Sequence, residues 1–221
     1  MRSEPGVGVP ESASFAQALG TLKRRGSNIL VVGAAGCGSH GSACNRLLGD
    51  GSNEARFRLV VATDPGRVAS HAERGEDGET RFIVQRDGDA ARSDRTYPTG
   101  SVIETEMLGV TGAKFVGTLD EFDEESDLAP SELRVCVDSV SDLVQSHDAE
   151  NVFRLLHVMT TRIRRSRGMG HFHFPIDREE EAARLFEPLF DAVVELRSGS
   201  EGPEHRWHLR DRDADTDWIS L

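Results

Sequence analysis

The residues with the most chemical potential lie between an apolar run, Asn28 to Val32, and a helical pattern through Ala43, Leu47 and Leu48. Two motif frames overlap there. Gly36, Gly38 and Gly41 match G-x-G-x-x-G, the dinucleotide fingerprint, whereas Gly33 to His40 match the frame of G-x-x-x-x-G-K-[ST], the phosphate loop, except at its last two positions. The dinucleotide turn needs its first glycine directly after the strand, yet Gly33, Ala34 and Ala35 intervene before Gly36. A phosphate loop needs a glycine at the strand end and a wider loop of backbone N–H groups, which puts Gly33 in register. Ser39 then stands where the lysine belongs, and His40 where a hydroxyl would meet magnesium. A neutral serine supplies no charge to the β/γ-phosphates, and one lost electrostatic group of this kind costs about 3–4 kcal/mol of transition-state stabilisation. Backbone amides and the helix N-terminus still suit an anion. The expectation is a site at Gly33, Gly36, Gly38, Ser39 and His40 that binds without turnover. The plainer alternative is a glycine-rich connection with no ligand.

Other residues offer weaker constellations. His171 and His173 alternate on one apolar run, so both face one side and Phe172 and Phe174 the other. With His40 from the glycine stretch they suit a metal, or else a pair of histidines satisfied by polar neighbours. Cys37 precedes a helix N-terminus, where a thiolate is favoured, but no activating base is assigned beyond nearby His40. Cys44 and Cys136 fit small core residues. Ser139, between Asp138 and Asp142, lacks the G-x-S-x-G elbow of a hydrolase.

The elements that must position these groups alternate. A helix at 14–25 ends in basic residues before Gly26, and the strand at 28–32 reads as buried on both faces. Further strands are expected at Phe57 to Ala62, Arg81 to Gln85, Val102 to Met107, Leu133 to Asp138, Gly170 to Phe174 and Phe190 to Leu196. Polar segments at 65–79 and 87–100 read as loops, and the acidic cluster Asp120 to Asp127 as a solvated helix face or loop. Asp148 is positioned to cap a helix whose Val152, Leu155, Met159 and Ile163 share a face, with arginines 162, 164, 165 and 167 at its C-terminal end. Asp177 and Glu180 make a capping-box-like start to another helix. His205 to Arg210 pairs with the last strand as a hairpin, and Trp207 and Trp218 suit anchors for the tail. Strands alternating with helices mean a mainly parallel sheet with helices on both faces. Residues 1–11 read as a tail, 12–197 as one α/β domain, and 198–221 as an acidic extension with an edge strand.

Composition narrows the setting. The 221 residues carry 38 acidic against 26 basic side chains, a net charge of −12, and the only lysines are Lys23 and Lys114. Acid-rich, lysine-poor, arginine-retaining chains suit a salt-loving microbe, and such a surface repels nucleic acid. No apolar run is long enough for a membrane span, and the first residues hold Pro, Gly and Glu where a signal peptide needs an apolar core. Three cysteines without a Cys-x-x-Cys pair fit a reducing, cytoplasmic compartment.

The runs VDSVSDLV, NVFRLLHVMTTRIRRSRGMGHFHF and LFDAVVELR resemble RecA-superfamily, KaiC-like ATPase domains, and the chain is most similar to an uncharacterised haloarchaeal family related to them. The likeness covers roughly residues 14–197 and implies a three-layer RecA-like fold. It implies that Asp138, followed by Ser139, is the magnesium-binding acid of the second nucleotide motif, with ATP and Mg2+ as cofactors. It also implies that His173, at a strand end, faces the γ-phosphate. The family's catalytic glutamate has no clear match; Asp64 and Glu104 are the nearest acids at strand ends. Three functions follow as expectations. The first is a non-hydrolysing regulatory or interaction module, acting on an unknown protein partner or by self-association. The second is an ATPase in which an arginine replaces the lysine. The third is an NAD(P)-binding oxidoreductase.

Overall fold

The computed structural model describes residues 11–33, 38–49, 56–72, 78–86, 102–212 and 214–221. Helix α1 (Glu11–Arg25) leads to strand β1 (Ser27–Val32), all six of whose residues are buried, as a strand covered on both faces requires. The chain continues through α2 (Ser39–Leu48), β2 (Arg56–Ala62), α3 (Pro65–Ala72), β3 (Gly78–Gln85), β4 (Val102–Thr105) and α4 (Leu108–Glu125). Then follow β5 (Leu133–Asp138), α5 (Val140–Ser146), α6 (Ala149–Arg165), β6 (Met169–Phe174), α7 (Glu181–Phe186), β7 (Ala192–Ser198), β8 (Pro203–Leu209), β9 (Ala214–Asp215) and β10 (Ile219–Ser220).

Among the described residues these strands form one sheet in the order β10-β8-β7-β1-β6-β5-β2-β3-β4, with β9 pairing β8. From β7 to β4 every pairing is parallel, and β8 returns antiparallel to β7 as the expected hairpin. Helices α4 to α7 pack one face through Phe115, Phe122, Leu156, Met159 and Phe186, meeting Phe172 and Phe174 of β6. Helices α1, α2 and α3 cover the other through Ala18, Ala43, Leu48 and Val68. The result is the three-layer α/β architecture read from the alternation. No helix among the described residues is long and apolar enough to cross a membrane.

Several local expectations change. The segment beginning at Pro65 is a helix, not a loop: Asp64 accepts the Gly66 amide at 2.8 Å and starts it, while Val68 is buried beneath it. As far as Glu125 the acidic cluster is the end of α4, the helix face that is one of its two readings, but four of its carboxylates are engaged by arginines. Arg162 binds Asp120 and Asp123 at 2.6 and 2.7 Å, and Arg81 binds Glu121 and Glu125 at 2.5 and 2.8 Å. The arginines at the end of α6 therefore also clamp it to its neighbours, Arg164 reaching Asp191 at 3.1 Å. Asp148 stands at the α6 N-cap, but its side chain makes no cap bond; its carbonyl accepts from Asn151 and Val152. Both tryptophans hold the tail to the domain. Trp207 packs edge-on against Phe15 of α1, and Trp218 lies under Arg197 at 3.9 Å. The segment 87–100 lies outside the described residues.

Gly33 ends β1 with φ 122°, and a Cβ there would stand 2.2 Å from the Leu196 carbonyl oxygen of β7. Both the backbone conformation and the close approach therefore demand glycine. Gly33→Ala is expected to lower unfolding stability by about 2–3 kcal/mol. Gly117→Ala, inside α4 where a Cβ meets nothing within 4 Å, is expected to raise it by about 0.5–1 kcal/mol. Urea denaturation midpoints of the two variants check the opposite signs.

Candidate functional site

In a parallel sheet, ligands gather outside the carboxyl ends of the strands. Here β6 lies between β1 and β5, so the ends of those two strands stand about 10 Å apart. Gly33 closes β1, Asp138 closes β5, and His173 sits near the end of β6 between them.

The glycine stretch is described only at its two ends. The Gly33 amide donates to the Ile176 carbonyl at 2.9 Å, so it is committed within the protein rather than to a ligand. Gly38, left-handed at φ 62°, caps α2, whose first residue, Ser39, is wholly buried. Gly36 and Cys37 lie outside the described residues.

His40 bridges the two ends of the site. Its Nε2 lies 3.1 Å from the Gly33 carbonyl and its Nδ1 lies 3.0 Å from His173 Nδ1. A carbonyl can only accept, so Nε2 carries a proton. Burial first, and then His173, lower the His40 pKa to about 4, so near neutrality the ring is uncharged and Nδ1 accepts. His173 therefore donates from Nδ1, and its Nε2 is left outside this contact. That Nε2 is buried and has no hydrogen-bond partner.

Asp138 is buried and already engaged. Arg67 Nη1 donates to its Oδ1 at 2.5 Å, and His71 Nε2 lies 3.6 Å from its Oδ2. Positions 67 and 71 share a face of α3, one turn apart, and so reach the same carboxylate. Burial pushes the Asp138 carboxyl upward, but contact with His71 and the Arg67 guanidinium outweigh it and hold the group below its ordinary value. Ser139 is left-handed at φ 72°, a conformation costing roughly 1–2 kcal/mol outside glycine, and its hydroxyl accepts the Asp142 amide at 3.4 Å. This strained turn sets the exit from β5 directly beside the acid.

His40, Gly41, Cys44, Arg67, His71, Asp138 and His173 line one cleft of about 250 Å³. Small-molecule sites run to about 300–1,000 Å³, so this cleft suits an anion or a single phosphoryl group better than a whole nucleotide. Of the sequence-derived residues, the fold brings His40, Asp138 and His173 together here. Asp64 serves as the cap of α3, and Glu104 pairs with Arg86 at 3.2 Å on β4; neither lines the cleft.

Sequence reasoning missed Arg67 and His71, because α3 was read as a loop; their spacing of four was the available signal. It also read Cys44 and Cys136 only as core residues. They are buried, but their sulfurs stand 3.5 Å apart and His171 Nε2 lies 3.3 Å from Cys44 Sγ. The Cys136 contact and His171 lower the Cys44 thiol despite its burial, whereas burial raises Cys136. Burial also lowers His171, keeping it neutral.

A family model described as a family of unknown function, DUF7504, matches residues 26–196. No curated protein matches the chain. Among solved structures, the KaiC-like protein PH0186 of the hyperthermophilic archaeon Pyrococcus horikoshii is 11% identical with a TM-score of 0.51, over 84% of this chain and 80% of that one. A second protein of the same organism, PH0321, solved in complex with an unknown peptide, is 11% identical with a TM-score of 0.57, over 90% and 89%. At this identity the likeness is one of fold, and the fold is RecA/KaiC-like.

The Arg67–Asp138 pair is half exposed on the arginine side, which moderates its worth. Asp138→Asn and Arg67→Ala are each expected to cost about 1–2 kcal/mol of stability, and together less than their sum. A double-mutant cycle by chemical denaturation measures the coupling.

Proposed function

The chain belongs to the DUF7504 family, and we propose that it is a non-hydrolysing RecA/KaiC-like module with a regulatory or protein-interaction role, holding a nucleotide phosphate or other anion weakly beside the glycine loop. The observation that carries this reading is the closed charge set at the end of β5. Asp138, the acid that would hold magnesium, is engaged by Arg67 and flanked by His71. Magnesium would have to displace a guanidinium from a buried carboxylate before it could meet a nucleotide. Ser39 adds no charge at the lysine position, and His40, at the magnesium-hydroxyl position, is spent on Gly33 and His173. On this reading neither position 39 nor position 40 supplies the charge or metal ligand that stabilises a departing phosphoryl group.

An interaction role draws support from an open groove between α4 and α6. Gly109, Gly112 and Ala113 face Asn151, Leu155 and Val158 there, and Met107 and Val158 are exposed large apolar side chains. The peptide complex of the Pyrococcus protein PH0321 is in keeping with such a role on this fold.

One observation favours a second reading, an ATPase whose missing lysine is replaced by arginine. Arg67 shares a cleft with His40, Asp138 and His173. In that case nucleotide binding would pull Arg67 from Asp138 to the phosphates and leave the acid for magnesium.

Phosphate release with Mg-ATP, measured in dilute and in concentrated salt, separates the two. The module reading expects release no faster than the protein-free blank, with an ATP-induced melting shift that is small and unchanged by magnesium. Robust turnover lost in both Asp138→Ala and Arg67→Ala would reject it in favour of the ATPase.

A further inference from the structure

Beneath the cleft, four potential metal donors converge from three elements. In the parallel pairing of β5 and β6, Cys136 lies beside His171. The two-residue repeat of a strand puts His173 on the same face. Helix α2 crosses that face, and Cys44, one turn beyond His40, meets them. All four residues are buried, and one donor atom from each lies within 4.8 Å of the other three.

The spacings suit a tetrahedral ion. Zinc bonds of about 2.3 Å to sulfur and 2.0–2.1 Å to nitrogen set neighbouring ligands about 3.4–3.8 Å apart. The Cys44–Cys136 sulfur separation is 3.5 Å, and His171 Nε2 stands 3.3 Å from Cys44 Sγ. His173 supplies an independent sign. Its Nε2 is buried with no hydrogen-bond partner, while its Nδ1 meets His40, which is held in turn by the Gly33 carbonyl. A ligating histidine is characteristically oriented through its other ring nitrogen in this way. Charge also fits, because one divalent ion, two thiolates and two neutral imidazoles sum to zero and bury no net charge.

We propose that Cys44, Cys136, His171 and His173 form a four-coordinate structural zinc site. Four protein ligands leave no open position, so the ion braces rather than catalyses. Cys44 and His173 also line the 250 Å³ cleft, which is the route by which the ion reaches them. The site ties α2, the helix after the glycine loop, to the two strands on which Asp138 and His173 stand. It does not depend on nucleotide binding.

The competing arrangement for the two sulfurs is a disulfide, which requires a bond of about 2.05 Å and leaves both imidazoles without an ion. The full chain, purified without chelator, is expected to carry one zinc per molecule by elemental analysis. Refolded with Co2+ alone, it is expected to show an intense thiolate-to-cobalt charge-transfer band that Zn2+ abolishes. Chelation is expected to lower the melting temperature by about 5–10 °C. Cys44→Ser and His173→Ala are expected to weaken zinc binding at least about tenfold, the lower end for loss of a metal-site partner, whereas His157→Ala, on the exposed face of α6, leaves it unchanged. A folded wild-type chain with no zinc and no thiolate–cobalt band overturns the proposal. So does a Cys44–Cys136 disulfide in chains alkylated at lysis. Should a variant fail to fold, the wild-type cobalt titration alone decides.

Discussion

The molecule is organised around the alternation of side chains along one central strand. All six residues of β6 are buried, so each must find its partners inside the protein. Phe172 and Phe174 go to the face covered by α4 to α7 and join the larger apolar core. His171 and His173 go to the face covered by α2, where apolar packing alone would leave ring nitrogens stranded. That requirement explains why the second face is chemically mixed, with a cysteine from the helix, another from β5 and a histidine from the start of α2 all turned inward. A register slip of one residue in β6 would exchange the two faces and defeat both.

The fold was legible because its signals are local and repeated. Buried runs such as Ile29 to Val32 and Val135 to Val137 admit strands covered on both faces, and the helical stripe of α6 could be read from Val152, Leu155, Met159 and Ile163 alone. The losses came where local signals conflict with tertiary demand. Pro65-Gly66 looks like a turn, yet proline is tolerated in the first turn of a helix, and one buried valine with a capping aspartate suffices to hold α3. The carboxylates of α4 look like a freely solvated surface until the arginines from β3 and α6 are placed beside them.

The site was legible only in part. His40, Asp138 and His173 could be placed at one sheet edge because strand ends and a glycine turn mark themselves in sequence. The partners that decide their chemistry could not. Arg67 stands 71 residues from Asp138, and Cys44 lies 92 residues from Cys136; no spacing rule connects them. Only the strand order, which sets β5 between β6 and β2 and so brings α2 and α3 over it, creates those neighbours. That position 39 holds a serine, by contrast, is read directly from the sequence.

The contact between Gly33 and Leu196 has a mechanical meaning. The start of the glycine loop is seated against the backbone of β7, whose far edge is zipped to the C-terminal hairpin, itself wedged under α1 by Trp207. Loop root, hairpin and first helix are thus joined in one chain of contacts. A shift of the outer strands would therefore be felt at Gly33, where β1 ends.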